Sequence, residues 1–292
     1  MILNTIKFNK GRFSLFNMKN KVRVFKKRID DLSKLENDQE KNRLWWESLP
    51  MTYQEWEDKE RIPKTKKEFL FAEKELLNSK FLGNFDFTKF RRKSVLEIGC
   101  GSGAGSCLFA KSGANVTAVD ITKQAIEITK LNAETQGVKV RALNQDAEKM
   151  TFKDGSFDFV FSWGVLHHSK NTIKAFKNVS RVLKKGGRGL IMVYNKNSAR
   201  YYINGLNWLF LKGKIFRGYD LEKVQDFYTD GYYHRHFTPR ELKRELEKIG
   251  FKNVKISVTH MGFKMLPLVP RNIEQWIKDN YGWLLVAEFD NP

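Results

Sequence analysis

The stretch Ser94-Val-Leu-Glu-Ile-Gly-Cys-Gly-Ser-Gly-Ala-Gly105, followed by Ala114-Asn-Val-Thr-Ala-Val-Asp120, decides the fold. Val95, Leu96 and Ile98 form a short apolar run that suits a buried parallel strand, and the glycines after it suit a tight turn into a helix. Gly99, Gly101 and Gly103 are expected to keep Cβ atoms out of the way of a ligand, so that backbone N–H groups at the helix start can approach a polar head closely. A second strand ends in Asp120, where a doubly wound fold places a carboxylate on a ribose diol. Together they read as a site for a nucleotide-like ligand. The run also fits a looser Gly99-x-Gly101-x-x-Ala104 dinucleotide pattern, and glycines alone mark ordinary turns, so a nicotinamide enzyme stays open at this point.

Outward from that stretch, strands and helices alternate. A helix from Ala104 should stop at Gly113, and another after Asp120, with Ala125, Ile128 and Leu131 on one face, should stop near Gly137. Strands are expected over 138–143, leading into Asn144-Gln-Asp146-Ala147, over 157–163 after the Asp154-Gly155 turn, and over 189–194 after a helix from about Thr172 to Leu183. This alternation predicts an α/β fold, a doubly wound parallel sheet with helices on both faces. Residues 195–237 break the pattern with a long aromatic and basic insertion, expected to be a lid. Thr238-Pro-Arg-Glu241 reads as a capping box opening a helix that ends at Gly250. Two closing strands, 254–258 and 283–289, are expected, joined by a Pro-containing connection without a helix.

The 292 residues are 41% hydrophobic, enough for one large α/β domain with extensions, and mean hydropathy is −0.52. No apolar run approaches the roughly 20 residues of a bilayer span. Cys100 and Cys107, the two cysteines, are too few for a disulfide framework and read as small buried packing residues in a reducing compartment. A formal charge of +20 would attract nucleic acid, anionic lipid or an anionic substrate.

Upstream, residues 1–40 form a basic arm: nine Lys and Arg precede Asp30, with no acid among them. Such an arm fits a solvated tail, an anchor to membrane or nucleic acid, or a mitochondrial presequence. A helix is expected around Val24 to Leu35. Residues 41–84 form an aromatic, helical cap. Trp46, Tyr53 and Trp56 either fold over the ligand pocket or fix the extension to the core. Lys64 to Leu77 reads as an amphipathic helix with Phe69, Ala72, Glu73 and Leu76 spaced helically.

From about Phe85 to Phe289 the sequence resembles the class I S-adenosylmethionine-dependent methyltransferases, of the small-molecule group that includes ubiquinone and menaquinone biosynthesis enzymes. The resemblance rests on Val95-Leu-Glu-Ile-Gly-Cys-Gly-Ser-Gly, Asp120, Asp146, Phe157-Asp-Phe-Val-Phe-Ser-Trp-Gly-Val-Leu-His-His168 and Leu183-Lys-Lys-Gly-Gly-Arg-Gly-Leu-Ile-Met, in that order. It implies a Rossmann-like seven-stranded sheet with an antiparallel last strand over 85–292, and S-adenosyl-L-methionine as cofactor. Carried over at matching positions, Glu97 and the backbone of Gly99, Gly101 and Gly103 would hold the methionine part. Asp120 would accept both ribose hydroxyls and Asp146 the adenine amine. Ile121 and Ala147 would flank the ring, and Trp163, at the end of the fourth strand, is also counted among the cofactor-binding residues. The bland alternatives are a helix-start acid for Asp120 and an N-cap for Asp146. A nicotinamide enzyme needs neither Asp146 nor the closing strands.

Methyl transfer requires alignment of an acceptor and exclusion of water, with a base only where the acceptor must lose a proton. His168 is the expected base or substrate contact at the end of the fourth strand; His236, with His234, would come from the lid. No metal ligand set stands out. The end of that strand lacks the Asn/Asp-Pro-Pro-aromatic signature of nucleic-acid adenine methylation. The leading expectation is transfer to an oxygen or nitrogen of a small-molecule, lipid- or sugar-linked acceptor, in the cytoplasm and with possible contact to an anionic membrane surface. RNA methylation, which the charge would serve, and a non-catalytic binding module are the alternatives.

Overall fold

A computed structural model describes residues 35–36, 38–47, 62–260 and 270–292. The expected helix at 24–35 lies outside them, apart from its last residue, as do Tyr53 and Trp56.

β1 (Ser94–Ile98), β2 (Asn115–Asp120), β3 (Val140–Asn144), β4 (Phe157–Trp163) and β5 (Leu183–Asn195) run parallel. The sheet is completed by β7 (Lys252–Thr259) and β8 (Leu284–Asp290) in the order β3-β2-β1-β4-β5-β8-β7. β8 is antiparallel to both its neighbours. The seven-stranded path is the one the resemblance implied; a two-residue strand, β6 (His236–Phe237), adds itself to the end of β5.

Alternation along each strand sends successive side chains to opposite faces, and both faces are buried. Leu96, Ile98, Val160, Ile191 and Val193 share one core with Phe176 and Val179. Those two belong to the helix Thr172–Val182. Val95, Phe159, Phe161, Leu190 and Met192 share the other with Phe109 and with Phe87 and Phe90 below β1. Fully burying each such side chain stabilises the fold by about 1.5–3 kcal/mol.

On that second face lie α2 (Lys66–Leu77), α3 (Lys80–Gly83) and α4 (Ala104–Lys111), while α1 (Asp38–Glu47) meets α5 (Lys123–Thr135). In α2 the buried residues are Phe69, Ala72, Glu73 and Leu76, the four that helical spacing picks out. Its Thr65 and Glu68 form a reciprocal capping box that starts the helix two residues after the expected Lys64. Glu73 accepts from Lys111 Nζ at 2.7 and 2.8 Å and from Gln136 Nε2 at 2.7 Å, tying α2 to α4 and to the end of α5.

The helix Thr172–Val182 is α6. The insertion opens with α7 (Ala199–Leu206), which runs into a π turn at Asn207–Leu211; α8 (Pro239–Ile249) follows it. At α8 the expected box is half made: Thr238 Oγ1 accepts from the Glu241 amide at 3.1 Å, while the Glu241 carboxylate turns to Arg235 at 2.8 Å. Two expectations are corrected. β5 starts at Leu183, taking in Lys184-Lys-Gly-Gly, through a register shift against β4 between Phe157 and Phe159. The connection between β7 and β8 contains a helix, α9 (Arg271–Tyr281), packed on β7.

Candidate functional site

Parallel pairing brings the carboxyl ends of β1, β2 and β3 to one edge: Ile98 is level with Val119, and Asp120 with Asn144. The glycine turn therefore faces Asp120 and the segment holding Asp146, in the crevice where open α/β sheets bind ligands. Gly99, Gly101 and Gly103 all take positive φ, 77°, 51° and 75°. The expectation that they clear space for a ligand needs correcting for two of them. A Cβ on Gly99 would strike the Val165 side chain, and one on Gly103 would sit 3.0 Å from Thr129 of α5. Their role is to fold the loop tightly onto its neighbours. Asn132 Nδ2 bonds Ser102 O at 2.8 Å and Ser162 Oγ bonds Ile98 O at 3.0 Å, fixing the loop from either side.

Asp120 is already well used. Its Oδ1 accepts the Thr122 amide and hydroxyl, each at 2.9 Å, and Oδ2 accepts the Gly101 amide at 3.2 Å. Two carboxylate oxygens offer about four acceptor positions, so roughly one remains, and two sugar hydroxyls fit only if Thr122 Oγ1 turns away. Burial raises the Asp120 pKa, opposed by these bonds. Glu97, on the β1 face toward α4, is buried and accepts from Ser106 Oγ. Burial pushes its pKa up to about 8. Cys100 and Cys107 are both buried and free, with their thiols pushed up by burial, in keeping with a packing role.

Asp146 Oδ1 accepts the Glu148 amide at 2.9 Å, and its Oδ2 is taken by Gln39 Nε2 at 2.8 Å. Gln39 belongs to α1, which lies across this edge. Glu47 at the other end of α1 accepts the Gln124 amide at 3.3 Å, Trp45 is fully buried, and Trp46 sets its edge on His168 with centroids 4.8 Å apart. Trp45 thus fixes the helix to the core while Trp46 lies against His168. Ile121 is half-buried after β2, and Ala147 is buried in the core with Val119 and Met150. Trp163 stacks on Phe161 at 6.3 Å and tilts on Phe81 at 6.4 Å, a wall toward α3.

The acid-to-amine chemistry of a sulfonium nucleoside fits this edge. Asp146 accepts an amide N–H from Gln39, Asp120 keeps roughly one acceptor position, and Glu97 is a buried carboxyl near the end of β1, a donor and acceptor set that such a ligand could use.

Beyond β4, His167 and His168 are both buried. His168 Nδ1–H donates to Tyr233 O at 2.8 Å, and burial drives its pKa down to about 3. His236, on β6, is likewise driven down to about 2 by burial. Burial thus disfavours the protonated form of both rings, away from the pKa near 7 that suits a general base. The ring of Tyr194 lies between them, 5.3 Å from His168 and 5.5 Å from His236.

On the far side of His236 opens a cavity of about 440 Å³, lined among others by Lys196, Tyr201, Asp226, His234, Arg235 and His236. There His234 Nε2–H donates to Asp226 Oδ1 at 2.9 Å. His234 Nδ1 and His236 Nε2 are buried and meet no partner among the described residues. Sequence reasoning missed Asp226 and Gln39. Neither stands in a motif or a periodic pattern, and only the fold brings each to its partner.

Comparison with known proteins agrees with this geometry. Residues 96–191 match a family model described as a methyltransferase domain. The chain is 34% identical over 109 residues to a ubiquinone biosynthesis O-methyltransferase of Coxiella burnetii, covering 37% of this chain and 47% of that protein. It is 32% identical over 187 residues to the uncharacterized protein MJ1123 of Methanocaldococcus jannaschii, covering 64% of this chain and 76% of that one. A solved S-adenosylmethionine-dependent methyltransferase of Aquifex aeolicus superposes with a TM-score of 0.50 at 16% identity, over 78% of this chain and 98% of the other, which shows a shared fold. The chain spans about half the length of the ubiquinone-biosynthesis relatives it matches. It belongs to the class I S-adenosylmethionine-dependent methyltransferases, whose methyl donor is S-adenosyl-L-methionine.

Proposed function

We propose that this protein methylates an oxygen or nitrogen of a small-molecule acceptor, lipid- or sugar-linked acceptors included. The observation that supports this reading is the Asp120–Asp146 edge, where one carboxylate keeps an acceptor position and the other holds an amide N–H that a ligand amine can replace.

When bound, the donor supplies an electrophilic methyl group on a sulfonium. In this reading Asp120 grips the ribose, Asp146 exchanges Gln39 for the adenine amine, and Ile121 and Ala147 flank the ring. Glu97 and the N–H groups of the 99–103 loop hold the methionine part, and Trp163 walls it. The acceptor enters the cavity beside β5 and β6. Asp226 holds His234 Nε2–H, which leaves Nδ1 as the accepting face of that ring, and in this reading Nδ1 takes the proton that a hydroxyl acceptor loses. His168 and His236 orient the acceptor as neutral imidazoles. The outward apolar side chains of the lid suit an acceptor met at a lipid surface.

Calorimetry with S-adenosylhomocysteine tests the donor half. Asp120→Ala should weaken binding at least tenfold, about 1.4 kcal/mol, as expected for a charge-assisted bond; unchanged affinity removes Asp120 from the site. For the acceptor half, protein incubated with methyl-labelled donor and cell extract should pass label to the small-molecule or lipid fraction. His234→Ala should abolish that transfer without altering donor affinity. Label confined to RNA would overturn the small-molecule reading.

A further inference from the structure

The lid has an outer face that its own packing leaves unused. Along α7 and the π turn, the inward positions are Tyr201, Gly205 and Leu209, all buried, with Gly205 close against Leu221 and Gln225. The outward positions are Ile203, Leu206 and Phe210, followed by Leu211, and all four are exposed. After the turn at Gly213 come Ile215 and Phe216. Leu211 is 80% exposed and Phe216 90%. A surface helix ordinarily turns charged and polar side chains to water, and one that is apolar on both faces is covered by something.

The tip is firmly held. Trp208 stacks on Phe227 at 4.9 Å with planes 10° apart, and Lys214 Nζ lies 4.3 Å over the same Phe227 ring. The outward projection of Phe210, Leu211 and Phe216 is therefore set by an anchored inner layer.

Charge says what covers it. From residue 196 to 219 the chain carries Lys196, Arg200, Lys212, Lys214 and Arg217 and no acid. Lys212 and Arg217, both exposed, flank the two most exposed apolar side chains. Bulky apolar groups rimmed by cations are what an anionic bilayer surface takes up: the side chains enter the acyl boundary and the cations meet lipid phosphates. Among the described residues no helix is long and apolar enough to cross a membrane. We propose that the lid tip, through Phe210, Leu211 and Phe216 with Lys212 and Arg217, docks the protein onto an anionic lipid surface. This goes beyond the methyl-transfer reading and stands independently of it.

The test is sedimentation of the full chain with vesicles of phosphatidylcholine alone and of an equal mixture with phosphatidylglycerol. The wild type should partition onto the mixed vesicles, more weakly onto neutral ones, and less as salt is raised. A Leu211→Glu/Phe216→Glu double variant should lose about tenfold or more in partition with its thermal melting and S-adenosylhomocysteine affinity unchanged. Three outcomes would overturn the proposal. They are absence of binding to either vesicle, binding indifferent to the double substitution, and a wild-type dimer that the same substitution dissociates, which would give the face to a second copy of this chain. Loss of donor binding with vesicle binding intact would sink the methyl-transfer reading alone.

Discussion

Gln39 donates a 2.8 Å hydrogen bond to the carboxylate of Asp146, so a side chain from the N-terminal helix occupies the acceptor assigned to the adenine amine. The edge proposed to bind the donor is thereby covered at Asp146 from within the chain. Asp146 does not wait unpaired, and a nucleoside must displace an existing bond to gain its own.

Replacing Gln39 should therefore help the donor. Gln39→Ala is expected to lower the dissociation constant of S-adenosylhomocysteine by about three- to tenfold, the net worth of an ordinary hydrogen bond. Calorimetry reads this directly. Weaker binding in the variant would mean that α1 contacts the bound donor rather than standing in its place.

Glu97 makes both stability and donor affinity depend on pH. Its pKa rises from 4.5 to about 8 on folding, so between those values the unfolded chain binds fewer protons than the folded one. The stability of the ligand-free protein should fall as pH rises through that window, by at most about 1.4 kcal/mol per pH unit from this group. Glu97→Gln should flatten the decline in thermal melts between pH 5 and pH 8, a window set within these pKa values. A ligand ammonium prefers the ionised carboxylate, so donor affinity should increase over the same range in the wild type and stay level in the variant.

Gly99 cannot be filled. At φ 77° any side chain is strained, and a Cβ would collide with Val165, which leads into the His167–His168 turn. Gly99→Ala should cost about 1–3 kcal/mol in urea unfolding and weaken donor binding. A Val165→Ala second change removes the two nearest methyl groups but leaves the Val165 Cβ 2.7 Å away and the backbone strain, so it should recover only part of the loss.

Glu73 offers a control remote from the chemistry. Its carboxylate is buried and holds both Lys111 and Gln136. Glu73→Ala should destabilise the fold by about 1–3 kcal/mol. Donor affinity at a temperature well below the melt should stay within twofold, a margin set by the distance of Glu73 from the edge.

The sheet was legible because its strands are short apolar runs punctuated by glycine, and Asp120 and Asp146 because they follow those runs directly. The α2 face was legible from the spacing of Phe69, Ala72, Glu73 and Leu76. Helix α9 was not, although Ile273, Trp276 and Ile277 stand at helical spacing. Prolines ahead of it and a short closing pair of strands favoured a plain connection. The glycine turn was located correctly and explained incompletely, since what Gly99 and Gly103 must avoid is Val165 and Thr129, which only the folded chain brings near. The His168 and His236 environments escaped sequence reasoning for a similar reason. Burial moves a histidine several pH units, and burial is a property of the neighbours.

The position of β8 bears on how the molecule comes off the ribosome. Among the described residues β7 pairs with β8 alone, and most of β5 faces β8 on one side. Until residues 284–290 have been synthesised, both strands hold unsatisfied backbone edges and the apolar surface that Leu285, Val286 and Ala287 will cover. From the completion of β5 at Asn195 until β8 begins at Leu284, the nascent chain thus carries an open sheet edge, a period in which chaperone protection would matter most.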